Sequence, residues 1–340
     1  MANKAPLGVC IVGCGFMGGI HAAHWHDLPE AKIIAVVDIL PERAAKFAEL
    51  YALPRFYTDY QQALALPEVD VVSVCVPTCL HAEITLFASR HRKHILTEKP
   101  IALTLEQAQA MITAAQENQV KLGVGFMRRH SPVLAGLRDR LASGDLGRPV
   151  IYHSTDFRQI RPKLAMHDAR QNGGPAIDMA VHLLDSWAYI FQSKPVEVYA
   201  QGLVMGRSRP ELASIQTLAP DTASLTVRYE SGDIGSFVVC WGLPPGANPP
   251  ERPDQICAPG GFAEVTFGMT HQEARLMKEG GQWEIISTSD ENMYQREIAS
   301  MARYVLHHEP FPASGEDGLS ALRTALAAIE SIHTGKPVHL

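Results

Sequence analysis

Three sets of residues have types and spacings that could do chemistry. The first is Gly13-Cys-Gly-Phe-Met-Gly18, with Asp38 twenty residues past its last glycine. The second is Asp178 with His182, four positions apart. The third is Lys99, which follows an apolar run and precedes Pro100.

The glycine set fits a G-x-G-x-x-G turn that follows a strand and opens a helix. Gly13 permits the tight turn. Gly15 lets the backbone approach a pyrophosphate, and Gly18 lets helix and strand pack closely, so that the helix N-terminus points at the phosphates. Phe16 and Met17 lie within the same turn. Asp38 stands where a carboxylate can grip the adenosine ribose hydroxyls. A plain glycine turn with an accidental aspartate would lack this context, so the dinucleotide reading is preferred. A carboxylate at this place repels a 2′-phosphate, and Ile39 beside it offers no compensating cation. Arg43 reads as an exposed helix residue. The expected cofactor is therefore NAD, with NADP less favoured.

Asp178 and His182 share one face if both are helical. Oxidising an alcohol by hydride transfer requires loss of the hydroxyl proton, and histidine titrates near working pH. A neighbouring carboxylate can fix its tautomer and orientation. Lys99 ends a parallel strand, where ligand sites of α/β sheets gather. Its ammonium can stabilise an alkoxide or relay the proton. Thus His182 is expected as acid/base, Lys99 as alkoxide stabiliser and Asp178 as orienter, and the roles of Lys99 and His182 can be exchanged. A solvated helix face is the plain alternative for Asp178 and His182, and the preceding Gly173-Gly174 weighs against it. Asp185 extends this face and reads equally as a substrate contact or a network residue.

The segment 156–168 holds Arg158, Arg161, Lys163 and His167 ahead of that helix. Guanidinium forks suit carboxylate, phosphate or sugar hydroxyls. Arg158, Arg161 and His167 are substrate-binding candidates together with Lys99, Asp178 and His182. A solvated basic loop is the alternative.

These residues need a scaffold to position them. Strand-like runs at 7–12, 33–37, 69–76, 94–96 and 121–126 alternate with helix-like stretches at 17–28, 41–51, 80–89 and 105–118, the last capped by Thr104. That alternation predicts a parallel sheet covered on both faces. Past residue 150 the strand candidates are 150–157, 196–204, 223–229, 234–241, 262–267 and 283–286, with one helix near 176–190 and two more near 292–307 and 316–334. A hairpin turn is expected at 229–234, and the proline-rich 243–259 reads as a loop. The second part thus reads as a mainly antiparallel, open sheet with helices.

The motifs together resemble the Gfo/Idh/MocA family of nicotinamide-dependent sugar and polyol oxidoreductases, and most of all its inositol-dehydrogenase-type members. The likeness rests on Gly13–Gly18, Asp38, Val76-Pro-Thr-Cys-Leu-His81, Thr97-Glu-Lys-Pro100, Gly123-Val-Gly-Phe126 and Gly173-Gly-Pro-Ala-Ile-Asp-Met-Ala-Val-His182. It implies a Rossmann domain over 1–127 and an α+β substrate and oligomerisation domain over 128–340, with the closing helix packing back on the first domain and substrate between the domains. It also implies that Glu98 reaches the nicotinamide ribose, that Pro100 follows a cis bond, and that Pro77, Thr78 and His81 lie beside the cofactor. It gives Lys99 a place at the active site and makes Asp178 and His182 the catalytic pair. Homodimers or homotetramers are implied.

The chain has 340 residues, 46% hydrophobic and 19% charged, with net charge −6. The length suits two domains, and the low charge excludes a disordered or coiled-coil chain. Without a long basic run it does not read as a nucleic-acid binder. No apolar run reaches the ~18 residues of a membrane span, and the N-terminus does not read as a signal peptide. A cytoplasmic protein is expected. The six cysteines read as small buried thiols, with no zinc framework. His21, His24 and His26 read as packing or surface residues rather than a metal site, and His307-His308 is uninformative. Trp187 and Trp241 read as core or interface residues. The leading expectation is an NAD-dependent dehydrogenase of a sugar, inositol or related polyol or sugar acid. The alternatives are an NAD-using, redox-neutral glycoside hydrolase and a nucleotide-sensing regulator.

Overall fold

The computed structural model describes residues 6–340. The chain forms two units: residues 1–127 with 293–319, and residues 128–292 with 320–340.

In the first unit the elements run β1 (Leu7–Val12), α1 (Phe16–His26), β2 (Ala31–Val37), α2 (Pro41–Leu50), α3 (Tyr60–Leu64), β3 (Val71–Val74), α4 (His81–Arg90), β4 (His94–Glu98), α5 (Leu105–Glu117) and β5 (Leu122–Gly125). The strands pair in parallel in the order β2-β1-β3-β4-β5. The continuous apolar runs foretold this, since strands buried on both faces have no polar side. β1 and β3 are wholly buried. The strand order reverses beside β1, which is where open α/β sheets bind ligands. Local chemistry sets the helix starts. The Thr104 hydroxyl accepts from Gln107 N–H at 3.2 Å, and Pro41 opens α2, where its missing N–H costs nothing.

The second unit holds α6 (Pro132–Ala142), β6 (Ile151–Gln159), α7 (Pro175–Asp178), α8 (Ala180–Phe191), β7 (Pro195–Leu203), β8 (Thr222–Tyr229), β9 (Ile234–Leu243), β10 (Asp254–Ala258), β11 (Gly261–Phe267), β12 (Gln272–Met277) and β13 (Trp283–Ser289). β10 lies within the proline-rich 243–259, which by sequence reads as a loop. No proline falls between Pro253 and Pro259, and the five residues between them pair with β11, the middle three also with β6. After α9 (Met293–His307) and α10 (Gly315–Thr334), the short β14 (Val338–His339) pairs with β7. The nine-stranded sheet runs β13-β12-β11-β10-β6-β9-β8-β7-β14, antiparallel except for the β6–β9 pair.

Trp187 of α8 shows how a helix seats on this sheet. It is fully buried, and a Cβ on Gly235 of β9 would lie 2.1 Å from its ring. Glycine there leaves the flat space an indole needs. The opposite sheet face carries an apolar row in register across six strands: Ile234, Ile151, Cys257, Phe262, Met277 and Trp283. Ile151 is 47% exposed and Trp283 41%.

The segment 293–319 completes the first unit. α9 packs on α1, Phe311 lies under Gly123, and Ala313 O accepts from Val124 N at 3.0 Å.

Candidate functional site

The glycine turn is built as its spacing requires. Gly13 has φ +100°, and a Cβ there would fall 2.5 Å from Cys75 O. A Cβ on Gly18 would fall 1.8 Å from Gly13 O. At Gly15 a Cβ would meet nothing within 4 Å. The protein itself has no need of a glycine there, so the open space suits a ligand approaching the backbone. No side chain caps α1, which leaves its first N–H groups facing this space. These features fit the pyrophosphate of a dinucleotide.

Asp38 closes the turn. Its Oδ2 accepts from Cys14 N at 2.9 Å and its Oδ1 from Leu40 N at 2.9 Å. Each oxygen keeps a further lone pair for a ribose hydroxyl. Phe16 and Ile39 are 77% and 81% exposed, and Met17 is half-buried. Arg43 is exposed on α2. Burial, and then the Asp38 carboxylate, push the Cys14 thiol up to about 12. It is a neutral passenger in the turn.

At the end of β3, Pro77 precedes a single 3-10 turn, Thr78–Leu80, and Thr78 is buried. His81 is buried as well, its Nδ1 2.8 Å from Pro100 O and its Nε2 3.1 Å from Val76 O. It ties this loop to the segment after β4. The Lys99–Pro100 bond is cis.

Glu98 ends β4 and is buried. Its Oε2 accepts from Lys99 N at 3.1 Å, and its Oε1 lies 3.1 Å from His21 Nε2. Burial opposes its charge. The hydrogen bond from His21 and the charges of His21, Lys99 and His81 outweigh burial and bring the carboxyl below its ordinary range. His21, read from sequence as a packing residue, therefore holds the carboxylate that precedes Lys99. Its position on the inner face of α1 was the only available signal.

Glu297 on α9 was not anticipated at all. It is 0% exposed, and neither carboxyl oxygen has a hydrogen-bond partner among the described residues. Burial, and next the Glu98 carboxylate, push it well above the ordinary carboxylate range. The folded state thus holds this proton more tightly than the unfolded chain does. The resulting stability is fully present below about pH 4.3, the ordinary glutamate value, and is lost as pH rises through the folded-state pKa. Glu297→Gln should match the wild type in thermal stability at pH 4 and below and exceed it as pH rises from there. The gap grows by at most ~1.4 kcal/mol per pH unit. Parallel melting curves at all pH values would contradict this.

In the second unit, Gly173 and Gly174 take left-handed φ of +80° and +78° and lead into α7. The expected single helix near 176–190 is jointed at Met179, so Asp178 closes α7 and His182 lies in the first turn of α8. His182 N donates to Met179 O at 3.1 Å across the joint. Both side chains are buried, and Asp178 Oδ1 accepts from Asn172 Nδ2 at 3.3 Å. Asp185 has a strong partner: Arg129 grips it through Nε at 3.0 and 2.9 Å and through Nη2 at 2.8 Å.

The segment after β6 separates its two arginines. Arg158 is paired, its Nε 2.5 Å from Asp156 Oδ1 and its Nη2 3.0 Å from Glu251 Oε1. Asp156 is further held by Trp241 Nε1 at 2.7 Å. Arg161 has no ion pair among the described residues, and its Nε is buried without a partner. Its guanidinium lies 5.8 Å from the Trp241 ring centre. Burial, then Arg158, work against its charge, and Asp156 and Asp178 offset part of this. His167 is 1% exposed, and its Nε2 accepts from Arg161 N at 2.9 Å. It braces the loop from inside. A cavity of about 620 Å³ opens here, lined by residues 155–162 and 248–252. Lys163 is exposed. Among the described residues no three histidine, cysteine or acidic side chains gather as a metal site. No helix among them is long and apolar enough to cross a membrane.

Comparison with known proteins fits this architecture. Residues 7–126 match the model of the oxidoreductase family with an NAD-binding Rossmann fold, and residues 134–256 match the Gfo/Idh/MocA C-terminal domain. The chain is 27% identical over 335 residues to the myo-inositol 2-dehydrogenase of Thermotoga maritima, covering 97% of each protein. It is also 27% identical over 335 residues to the NAD(+) scyllo-inositol 2-dehydrogenase of Bacillus subtilis, covering 97% of this chain and 95% of that one. Its fold matches the aldose-aldose oxidoreductase of Caulobacter crescentus with a TM-score of 0.86 at 24% identity, covering 98% of this chain and 100% of that one. With its dinucleotide turn, parallel sheet and open second sheet, the chain belongs to the Gfo/Idh/MocA family of nicotinamide-dependent oxidoreductases.

Proposed function

We propose that the chain is an NAD-preferring dehydrogenase that oxidises a secondary alcohol of a sugar, inositol or related polyol or sugar acid. The observation that carries this reading is the joint presence of a dinucleotide turn with open space over Gly15 and of the proton-handling residues Lys99, Asp178 and His182. The relatives named as inositol dehydrogenases along nearly the whole chain support the substrate class.

When bound, the nicotinamide supplies the hydride acceptor. His182 takes the hydroxyl proton as the alcohol is oxidised, and Asp178 orients it. Lys99 stabilises the alkoxide, and the Glu98–His21 pair beneath β4 fixes the backbone from which Lys99 projects. The turn from Gly13 to Gly18, including Phe16 and Met17, binds the pyrophosphate. Asp38 binds the adenosine ribose beside Ile39, while Pro77 and Thr78 line the cofactor and His81 braces their loop. Arg161 contacts substrate, with His167 supporting it. Arg158, already neutralised by Asp156 and Glu251, serves mainly to shape the loop. NAD preference follows from Asp38, because a 2′-phosphate would sit against its carboxylate, and Arg43, the cation of this region, is exposed on α2. The apolar row on the open sheet face supports assembly into dimers or tetramers, and a cytoplasmic location suits such an enzyme.

The test is a panel of inositols, sugars, sugar acids and glycosides with NAD and with NADP, following reduced nicotinamide. The expected result is steady reduction of NAD by at least one polyol or sugar, with kcat/KM at least tenfold above that with NADP. Tight NAD binding with no reduction by any of them would refute the dehydrogenase reading.

A further inference from the structure

We propose that the cavity beside Arg161 receives a carboxylate carried by the substrate, so that the preferred substrates are acidic sugars or polyols such as uronic or aldonic acids. The inference rests on the dehydrogenase reading above and narrows its substrate class.

Three observations lead there. The first is charge. Among the charged side chains lining the cavity, Asp156, Arg158 and Glu251 are paired with one another, while Arg161 and Arg252 have no ion-pair partner among the described residues. The second is the cost of leaving Arg161 as it stands. A half-buried guanidinium with an unpartnered N–H has lost water without gaining an acceptor, and such a group is satisfied by an incoming anion. The third is that the remaining polar wall is already committed to structure. Gln159 Oε1 accepts from Gly246 N at 2.5 Å, and Asn248 Oδ1 accepts from Gln159 N at 3.1 Å. These bonds fasten the 244–253 loop to the end of β6.

The cavity volume of about 620 Å³ lies within the range of small-ligand sites, roughly 300–1,000 Å³. A carboxylate matches one guanidinium fork. A phosphate dianion fits less well, because Asp156 and Glu251 stand in the same wall. The Arg161 backbone is held by His167, so the guanidinium starts from a fixed root rather than a mobile loop. The turn Leu164–His167, whose His167 holds Arg161, packs against α7, and Asp178 closes that helix, which ties the cavity to the residues proposed for proton transfer.

The experiment uses the full-length protein with NAD and matched substrate sets: D-glucose, D-glucuronate and D-glucose 6-phosphate, and likewise D-galactose and D-galacturonate. Uronates should exceed their neutral parents by at least tenfold in kcat/KM. Arg161→Gln should bring that ratio close to one, mainly by raising KM for the uronate, and Arg161→Lys should restore part of it. Equal kcat/KM for uronate and parent in the wild type, or a ratio that Arg161→Gln leaves intact, overturns the proposal. A preference for the sugar phosphate overturns the carboxylate in particular. Calorimetric titration of D-glucuronate and D-galacturonate into the NADH-loaded protein separates this inference from the reading it rests on. Binding that Arg161→Gln abolishes, without any NAD reduction, supports the anion site while refuting the dehydrogenase. Absence of binding together with turnover of neutral sugars does the reverse.

Discussion

His182→Ala should lower kcat on the true substrate by roughly 10²–10⁴-fold, the contribution of a well-placed general acid–base. Lys99→Met should produce a loss of similar size, because an alkoxide then develops without its cation. NADH affinity, followed by fluorescence titration, should change little in either variant, since neither side chain belongs to the turn that holds the pyrophosphate. Added imidazole should restore part of the His182→Ala rate but none of the Lys99→Met rate. That rescue separates proton transfer from a merely structural role. Near-full turnover by both variants would remove the assignment altogether.

The second large effect concerns stability. Side chains of Arg129 and Asp185 are only 9% and 1% exposed, and they meet through three short contacts. Removing one partner of a buried ion pair strips the other charge of that pairing, at a cost of about 3–5 kcal/mol. Asp185→Ala should therefore lower the urea midpoint of the second unit sharply. The double variant Arg129→Met/Asp185→Leu should recover most of the loss, because apolar replacement of such a pair is often neutral. A single variant as stable as the wild type would mean that the pair contributes nothing. These results also bear on the reading of Asp185 as a substrate contact, since a residue gripped this way works first as an anchor for α8.

The dinucleotide half was legible because its signals are local. A buried parallel strand shows as an unbroken apolar run, and the glycines of the turn sit within six residues of one another. Much of the second sheet was legible too, but β10, β12 and β14 were not. β10 is five residues long with two polar residues, Asp254 and Gln255, at its start, and only its pairing with β6 and β11 makes it a strand. The site shows the same division. Asp178 and His182 could be found by spacing. Arg158 and Arg161 are alike in sequence, and their difference depends on which way each side chain turns, Arg158 meeting Asp156 beside it and Glu251 some ninety residues away. Glu297 was invisible, because a glutamate in an amphipathic helix reads as solvent-facing until the helix against it is known.

The apolar row on the open sheet has a practical corollary. Cys257 stands within it and is exposed, whereas Cys10, Cys14, Cys75 and Cys240 are buried and Cys79 is partly so. Burial also pushes the Cys10 and Cys14 thiols up, which keeps them unreactive towards electrophiles. A maleimide dye will accordingly attach first at one position, between Ile151 and Phe262. The native thiol is thus a built-in probe, whose labelling kinetics report how much of that face is covered as protein concentration changes.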